Sequence, residues 1–207
     1  MEINRALSVD QILNKKFIEL ELPDEWAASL GEPEASGIWI IWGNPANGKS
    51  RFSMMLAKCL AQMGRVAYNS LEEGARKSFQ NNVKACRMHE VKKNFIVLNR
   101  EPVEALRERL SKKQAPRFVF IDSLQYTELT KKQYIALKEE FTNVLFIFIS
   151  HAEGKEPKGA LASFIRYDAD IKIRVEGYRA FPASRMGGGE PYTIWPEAAA
   201  KYWAEIK

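Results

Sequence analysis

The sequence predicts an α/β fold with a mainly parallel central sheet, helices on both faces of that sheet, and an antiparallel edge in its C-terminal part. Short, almost continuously apolar segments alternate with helical segments of about ten to fifteen residues, which is typical of parallel strands buried between helices. Residues 171–176, by contrast, alternate between apolar and charged side chains, which indicates a strand with one face in water. We therefore expect a sheet that is covered over most of its width and exposed at one edge.

The length and composition are those of a single domain. The 207 residues, of which 46% are apolar, can bury one sizeable core. We expect residues 1–36 to form a lead-in segment with helices at residues 9–15 and 24–30. Residues 37–207 would then form the domain itself, and the turn-forming residues 32–37 would deliver the chain into its first strand.

The first half of the domain follows in order from that turn. Residues 37–42 are an apolar run of strand length, and the apolar side chains after residue 50 recur at helical spacing. Residues 65–70 predict the second strand, residues 74–88 a polar helix, and residues 94–98 the third strand. Pro102 favours the first position of the next helix, because proline lacks only an N–H that is unpaired there.

The second half begins with the apolar run at residues 118–122, which ends in an acid and predicts a strand. Thr130 would cap the helix that follows, since its hydroxyl can accept from the first free N–H groups. Residues 144–150 form the most apolar strand of the chain. The alternating strand at 171–176 and two short strands at 178–181 and 191–195 would complete the antiparallel edge.

Composition and charge narrow the classes of function. No apolar run approaches the length of a membrane span, and the first five residues lack the apolar region of a signal peptide, so we expect a cytoplasmic protein that does not enter a membrane. Cys59 and Cys86 lack metal-ligand spacing and predict two free, buried thiols in a reducing compartment. The formal net charge of +5 permits a nucleic-acid partner without requiring one.

One motif carries most of the functional prediction. Residues 43–50 match G-x-x-x-x-G-K-[ST], the phosphate-binding loop, between a predicted strand and a predicted helix. Glycines let the backbone approach the phosphates, and the N–H groups turn inward on them. Lys49 would place a positive charge at the β- and γ-phosphates of ATP, and Ser50 would hold Mg²⁺. The predicted nucleotide-binding residues are Gly43, Asn44, Pro45, Ala46, Asn47, Gly48, Lys49, Ser50 and Arg51.

Polar residues at the ends of the other strands are the next candidates, because parallel sheets bind ligands at the carboxyl ends of their strands. Asp122 ends a strand and would hold Mg²⁺ through water beside Ser50, or it is an ordinary acid at a strand end. Glu72 and Glu73 follow the second predicted strand, where a carboxylate can polarise an attacking water or simply favour a helix N-terminus. His151 follows the most apolar strand, where it would sense the γ-phosphate or remain a solvated residue.

With these pieces in place, the chain resembles the RecA-type ATPase core, in particular its RadA and DnaB-helicase branches. Three segments carry the likeness: Tyr-Asn-Ser-Leu-Glu at residues 68–72, Ile-Asp-Ser-Leu-Gln at 121–125, and Ser-His at 150–151. Ser-Arg-Met-Gly at residues 184–187 is similar to part of the RadA Lys-Asn-Arg-Phe-Gly motif, although Ala183 stands in place of the lysine. The likeness covers about residues 37–195 and implies a core-only form, of the kind that phages and mobile elements encode.

The resemblance implies roles that the residues alone leave open. It identifies Glu72 as the catalytic base, with Glu73 as the alternative. It implies a homo-oligomeric ring or filament in which Arg185 of a neighbouring subunit would contact the γ-phosphate; a solvated arginine is the competing interpretation. It also implies that the region after His151 faces single-stranded DNA, so that Lys155, Lys158 and Arg166 would contact phosphates; a solvated loop is the competing interpretation.

The sequence thus predicts a Mg²⁺-dependent ATPase of DNA metabolism that acts in recombination, annealing or helicase-like translocation. A KaiC-like regulatory ATPase that controls a protein partner is the first alternative. A nucleotide-dependent adaptor that barely hydrolyses ATP is the second, and a small-molecule kinase is the third. DNA-stimulated ATP hydrolysis would distinguish the first function from the others.

Overall fold

The computed structural model describes residues 6–205, and within them a nine-stranded sheet is flanked by helices. Its strands are β1 Gly37–Gly43, β2 Val66–Ser70, β3 Phe95–Asn99, β4 Phe118–Asp122, β5 Leu145–Glu153, β6 Glu156–Pro157, β7 Ile171–Glu176, β8 Arg179–Ser184 and β9 Tyr192–Thr193. Its helices are α1 Val9–Leu13, α2 Asp24–Leu30, α3 Lys49–Leu60, α4 Lys77–Ala85, α5 Val103–Leu110, α6 Lys131–Glu140, α7 Ala160–Asp168 and α8 Pro196–Glu205.

The strand order confirms the predicted fold class. The main path of the sheet runs β3-β2-β4-β5-β1-β7-β8-β9, and β6 pairs with β5 outside that path. The pairings from β3 to β7 are parallel, whereas β8 and β9 add antiparallel pairings at one edge. The parallel strands place their carboxyl ends at one edge of the sheet, which is where such folds bind ligands.

Two apolar cores lie on opposite faces of the sheet, because side chains alternate between the faces along each strand. Trp39 and Ile41 of β1 belong to the core under α3 and α4, and Ile40 and Trp42 belong to the core under α5, α6 and α7. All four side chains are at most 5% exposed. Strand β1 is therefore held from both faces up to the residue before Gly43.

The lead-in segment packs on the same core as the sheet. Leu20, Trp26 and Leu30 are buried, and the Trp26 ring stacks on Tyr192 with centroids 4.3 Å apart. The predicted boundary between a lead-in segment and a domain at residue 36 stays a prediction. Helix α1 ends at Leu13, two residues earlier than predicted, with Asn14 in the C-cap position.

Two helices differ from the predictions at their N-terminal ends. Gly74 has a φ of +63°, and the side chain of Asn99 accepts from Ala75 N at 3.1 Å, so residues before Lys77 form a loop and α4 starts three residues late. Pro102 is the N-cap of α5 with extended backbone, instead of its first helical residue.

The C-terminal third holds the larger corrections. Strand β5 continues to Glu153, because residues 152–153 pair with β6 in a short hairpin. Helices α7 and α8 were not predicted, and the predicted strand at 191–195 is reduced to two residues. Pro196 occupies the first position of α8, where proline is favoured, so the sequence did indicate the start of this helix. No helix in the described part of the chain is both long and apolar enough to cross a membrane.

Candidate active site

The loop between β1 and α3 has the backbone that a phosphate cradle needs. Gly48 lies in the left-handed region with φ +94° and precedes the first residue of α3, so the free N–H groups of that helix end face the loop. A Cβ on Gly43 would lie 2.3 Å from the carbonyl oxygen of Val175, so only glycine fits where β1 passes β7. Ala46 also has a positive φ of 62°.

Asn47 ties the loop to the turn between β7 and β8. Its Oδ1 accepts from Gly177 N at 2.7 Å, and its carbonyl oxygen accepts from Tyr178 N at 3.1 Å. Its Nδ2 donates to the Pro45 carbonyl oxygen at 3.0 Å. Gly177 and Tyr178 both have positive φ, 52° and 59°, which is the backbone of a tight two-residue hairpin turn. The loop is thus held from outside as well as by its own strand and helix.

A cavity of about 470 Å³ opens at this loop. It brings together the phosphate-loop residues and the polar ends of β2, β4 and β5. Its lining residues are Asn44, Pro45, Ala46, Gly48, Lys49, Ser50, Arg51, Glu72, Glu73, Asp122, His151, Tyr178 and Trp195. The sequence-predicted candidates therefore line one cavity, apart from Gly43 and Asn47 of the same loop, Arg185 and the three predicted nucleic-acid contacts.

Glu72 lies in a hydrogen-bonded cluster at the cavity wall. Its Oε2 is 2.9 Å from His151 Nε2 and accepts from Ser123 Oγ at 3.1 Å. Burial would raise the pKa of Glu72, but the hydrogen bond and charge of His151, the Ser123 hydroxyl and the charge of Lys49 together hold that pKa below its ordinary value. Glu72 is therefore a carboxylate at neutral pH and can accept a proton.

Glu73 has a different partner. Its Oε2 accepts from the hydroxyl of Ser78, at 2.8 Å, in the first turn of α4. The two acids that the sequence left as alternatives thus lie in different surroundings, and Glu72 is the one in contact with His151.

Asp122 is held by a buried tyrosine. The Tyr68 hydroxyl donates to Asp122 Oδ2 at 2.7 Å, and Tyr68 is 1% exposed. Burial raises the pKa of Asp122 to about 6, although the Tyr68 hydrogen bond and the Lys49 charge oppose that shift. A cation at this carboxylate would relieve the cost of ionising it, so the donor chemistry fits a hard divalent metal.

The metal ligands would come only in part from the protein. Within residues 6–205, no group of three or more His, Cys, Asp or Glu side chains is placed to hold a metal ion. Ser50 and Asp122 line the same cavity, which suits Mg²⁺, because that ion commonly keeps waters and phosphate oxygens as most of its ligands.

Two aromatic residues of the cavity were missed by sequence reasoning. Trp195 is 45% exposed, and the Tyr178 ring meets it edge-on with centroids 5.9 Å apart. The Arg51 guanidinium lies 5.6 Å from the centre of the Trp195 ring. An exposed indole beside a phosphate loop is a surface on which a nucleobase can stack. Trp195 is distant from the loop in sequence, so no local pattern marked it.

Gln125 was also missed, although its position after Asp122 could have marked it. Its Nε2 donates to Ser150 Oγ at 2.9 Å and to the Lys158 carbonyl oxygen at 3.0 Å, and its Oε1 accepts from His151 N at 3.2 Å. The residue therefore connects the cavity wall to the β5–β6 hairpin.

Arg185 lies far from the cavity of its own chain. It follows β8, and its N–H donates to the Asp170 carbonyl oxygen at 3.4 Å, at the amino end of β7. The phosphate loop adjoins the other end of β7, where Gly43 pairs with Val175, so β7 separates the two by roughly 20 Å. Arg185 is exposed.

The predicted nucleic-acid contacts lie on and behind the β5–β6 hairpin. Lys155 and Lys158 are exposed, and the Lys155 carbonyl oxygen accepts from Trp42 Nε1 at 2.9 Å. Arg166 lies on α7, where it pairs with Glu156 at 2.7 Å and lies 5.4 Å from the centre of the Trp42 ring. Two of the three cations thus face solvent, and the third is already paired.

The comparisons with known proteins agree on the fold. Neither a protein-family model nor a curated protein sequence matches the chain. Among solved structures, the flagellar accessory protein FlaH from Methanocaldococcus jannaschii is similar with a TM-score of 0.61 and 18% identity, over 84% of this chain and 91% of that one.

Two further solved structures are similar over most of their length. One of them is an ATPase domain, with a TM-score of 0.53 and 17% identity, over 76% of this chain and 80% of that one. A KaiC-like protein, PH0186, from Pyrococcus horikoshii OT3 has a TM-score of 0.57 and 15% identity, over 85% and 93%. The chain therefore has the RecA-like P-loop fold that was predicted. The three similar structures do not favour one branch of that fold over another.

Proposed function

We propose that this chain is a Mg²⁺-dependent ATPase that acts in DNA metabolism. The observation that carries the proposal is the convergence of a phosphate loop, Lys49, Asp122 and Glu72 on one cavity. These are the parts that hydrolysis of a phosphoanhydride needs: donors for the phosphates, a positive charge, a metal carboxylate and a base.

The chemistry follows from the order of these groups around the cavity. Loop N–H groups and Lys49 bind the phosphate tail and neutralise its charge. Ser50 and Asp122 would hold Mg²⁺, which supplies further charge neutralisation at the phosphoryl group. Glu72 accepts the proton of the attacking water, and His151 and Ser123 hold that carboxylate in place.

The base of the nucleotide would lie on Trp195. The half-exposed indole and the Arg51 guanidinium form a stacking surface at the mouth of the cavity. Stacking does not by itself distinguish adenine from guanine, so ATP is proposed as the substrate because of the likeness of the fold to ATPase domains.

A homo-oligomer would complete the site. Arg185 is exposed and lies about one strand length from the phosphate loop of its own chain, so only a neighbouring subunit could bring it to the γ-phosphate. In the same assembly, Lys155 and Lys158 on the β5–β6 hairpin would contact single-stranded DNA. Gln125 supplies the connection between nucleotide and DNA, since it touches both His151 and Lys158.

A second function has support from the comparisons. One similar structure is a KaiC-like protein and another is a flagellar accessory protein, and neither name mentions DNA. A regulatory ATPase whose nucleotide state controls a protein partner would use the same cavity. It would not respond to DNA, which distinguishes it from the first proposal.

The test is the ATP turnover of four variants, measured with and without single-stranded DNA. Lys49→Ala should abolish turnover, since the phosphate charge loses its counter-charge. Glu72→Gln should lower it by about a hundredfold or more, the usual size of general-base catalysis. Arg185→Ala should lower turnover with little loss of ATP affinity. Lys58→Ala, in the last turn of the same helix as Lys49, is the control and should keep wild-type turnover.

Each part of the proposal can fail separately. Unchanged turnover in Lys49→Ala would refute the ATPase assignment. Turnover that is measurable but indifferent to DNA would favour the regulatory function. Equal turnover of Arg185→Ala and wild type, at concentrations where light scattering shows assembly, would remove Arg185 from the site.

A further inference from the structure

The edge of the sheet opposite the cavity carries a cluster of positive charge. The amino ends of β3, β2 and β4 lie side by side, with Val66 paired in register with Phe95 on one side and with Phe118 on the other. The segments that lead into these strands therefore meet at one place. They are residues 61–65, 92–94 and 111–117.

These three segments contain six cations and no acidic residue. We call them the cationic edge: Arg65, Lys92, Lys93, Lys112, Lys113 and Arg117. Five are exposed and Arg117 is half-buried. Arg65 Nη1 donates to the Gln114 carbonyl oxygen at 2.8 Å, and the Arg65 carbonyl oxygen accepts from Arg117 N at 2.9 Å. Two of the three segments are thus fastened together.

The charge of this edge is not neutralised by the acids beside it. Within the described residues, the only ion pair of the six cations joins Lys112 to Glu108 at 4.0 Å, between two exposed side chains. Glu90, beside Lys92, is already held by Lys58 at 2.7 Å and by Arg87 at 2.6 Å. Glu140 pairs with Arg107.

Helix stabilisation does not account for the cluster either. Lys112 follows the end of α5 and can interact with the negative end of that helix. Lys92, Lys93 and Lys113 do not lie in the last turn of an α-helix. Like charges gathered in three neighbouring segments repel each other, so their presence together costs stability unless an anion binds.

We propose that the cationic edge binds the phosphate backbone of double-stranded nucleic acid without reading its bases. A duplex presents one negative charge for about every 1.7 Å of its axis, which six clustered cations can match. The three segments contain no aromatic side chain, so they lack the platform on which single strands are held by stacking. They also present no large exposed apolar side chain that could enter a membrane interface.

This surface is separate from the proposed active site. The strands between them are five residues long in β2 and β4, so about 16 Å separates the cationic edge from the cavity. It is also separate from the β5–β6 hairpin, which lies at the carboxyl end of the sheet. The proposal does not rest on nucleotide hydrolysis, and its test uses nucleotide-free protein.

The test is fluorescence anisotropy of a labelled 30-base-pair duplex across a salt series, without nucleotide and with a chelator present. The edge variant replaces Lys92, Lys93, Lys112 and Lys113 by Gln. The control variant replaces Lys15, Lys16, Lys132 and Lys201 by Gln. These four lysines are exposed, and their replacement changes the net charge by the same amount as in the edge variant. A third variant replaces Lys155 and Lys158 by Gln, and circular dichroism checks the fold of all three.

Full engagement of the six cations gives a slope of log K against log salt near −5, and loss of four reduces it to about −2. The edge variant should also lose at least about tenfold in affinity at low salt. The duplex affinity of the control variant and the ATP turnover of the edge variant should stay at wild-type values, and the hairpin variant should lose less duplex affinity than the edge variant.

Several outcomes would overturn the proposal. The first is absence of duplex binding by the wild type, and the second is equal loss in the edge and control variants. A third is binding to vesicles with 30% phosphatidylserine that depends on the edge lysines while duplex binding does not, which would identify an anionic lipid surface instead. Failure of the ATPase proposal would appear in Lys49→Ala and leaves these results unaffected.

Discussion

Two buried tyrosines illustrate how single residues position a carboxylate in this protein. Tyr68 and Tyr134 are each 1% exposed, and each donates its hydroxyl to an aspartate. The partner of Tyr68 is Asp122 at the cavity, whereas the partner of Tyr134 is Asp168, at the other edge of the sheet. A buried tyrosine hydroxyl thus donates to an aspartate once inside the proposed active site and once outside it.

Tyr68→Phe should weaken Mg²⁺ binding in the presence of ADP by about tenfold, because a group that orients a metal ligand has an effect of that size. The phenyl ring keeps the stack on Phe120, whose centroid is 5.3 Å away, so the fold should persist. Mn²⁺ binding followed by electron paramagnetic resonance would measure the affinity. Tyr134→Phe is the matched control and should leave it unchanged. Equal metal affinity in both variants would contradict a positioning role for Tyr68.

At the scale of elements, the phosphate loop depends on its neighbours. Strand β1 is packed on both faces, and the β7–β8 turn is hydrogen-bonded to the loop through Asn47. Loops with few buried contacts open easily, so these external bonds decide how well the loop is formed before a nucleotide arrives.

Asn47→Ala should therefore lower nucleotide affinity by about tenfold, since it removes side-chain hydrogen bonds worth about 1 kcal/mol each. Isothermal titration with ADP would measure this loss. Asn94→Ala removes a comparable bond, from Nδ2 to the Ala61 carbonyl oxygen at 2.9 Å, at the opposite edge of the sheet. It should lower stability to a similar degree without changing nucleotide affinity. If both variants bind ADP equally, the β7–β8 turn does not shape the loop.

The elements that the sequence predicted well are those with a strong local pattern. The buried parallel strands are continuous apolar runs, and the strand–loop–helix order around Lys49 is a local motif. Helix α7 has only Ala162 and Ile165 buried and no capping side chain, so its local signal is weak. The contacts of Trp195 and the distance of Arg185 from the cavity depend on pairing between segments that are far apart in the sequence. A local sequence pattern therefore cannot predict them.

The whole molecule has two chemically different edges, because all its parallel strands point the same way. The carboxyl edge gathers Glu72, Asp122 and His151, and the amino edge gathers the lysines of the cationic edge. The carboxyl edge also carries a cost. Asp122 is ionised in surroundings that favour its neutral form, so part of the stability of the empty protein is given up at the site.

That cost predicts a pH dependence. The folded-state pKa of Asp122, about 6, is above its ordinary value of 3.8, so the folded state binds the proton more tightly than the unfolded state does. Ionisation of Asp122 therefore has no effect on the free energy of unfolding below about pH 4, and it lowers that free energy as the pH rises from about 4 to 6. Asp122→Asn should gain at most about 3 kcal/mol over wild type at pH 7 and nothing at pH 3.5.

Urea unfolding at both pH values, without metal or nucleotide, would measure the two differences. A gain that is equal at pH 3.5 and pH 7 would show that ionisation of Asp122 is not its cause. The same variant should lose ATP turnover, because the amide is a poorer ligand for Mg²⁺ than a carboxylate.

The position of Trp195 has a practical consequence. Of the five tryptophans, Trp26, Trp39 and Trp42 are at most 5% exposed and Trp203 is half-buried, whereas Trp195 is 45% exposed at the mouth of the cavity. Excitation at the red edge of the absorption band selects indoles in polar surroundings, so emission excited there would come mainly from Trp195. A ligand that covers this ring would shift that emission to shorter wavelength, and the unlabelled protein would report its own occupancy in real time.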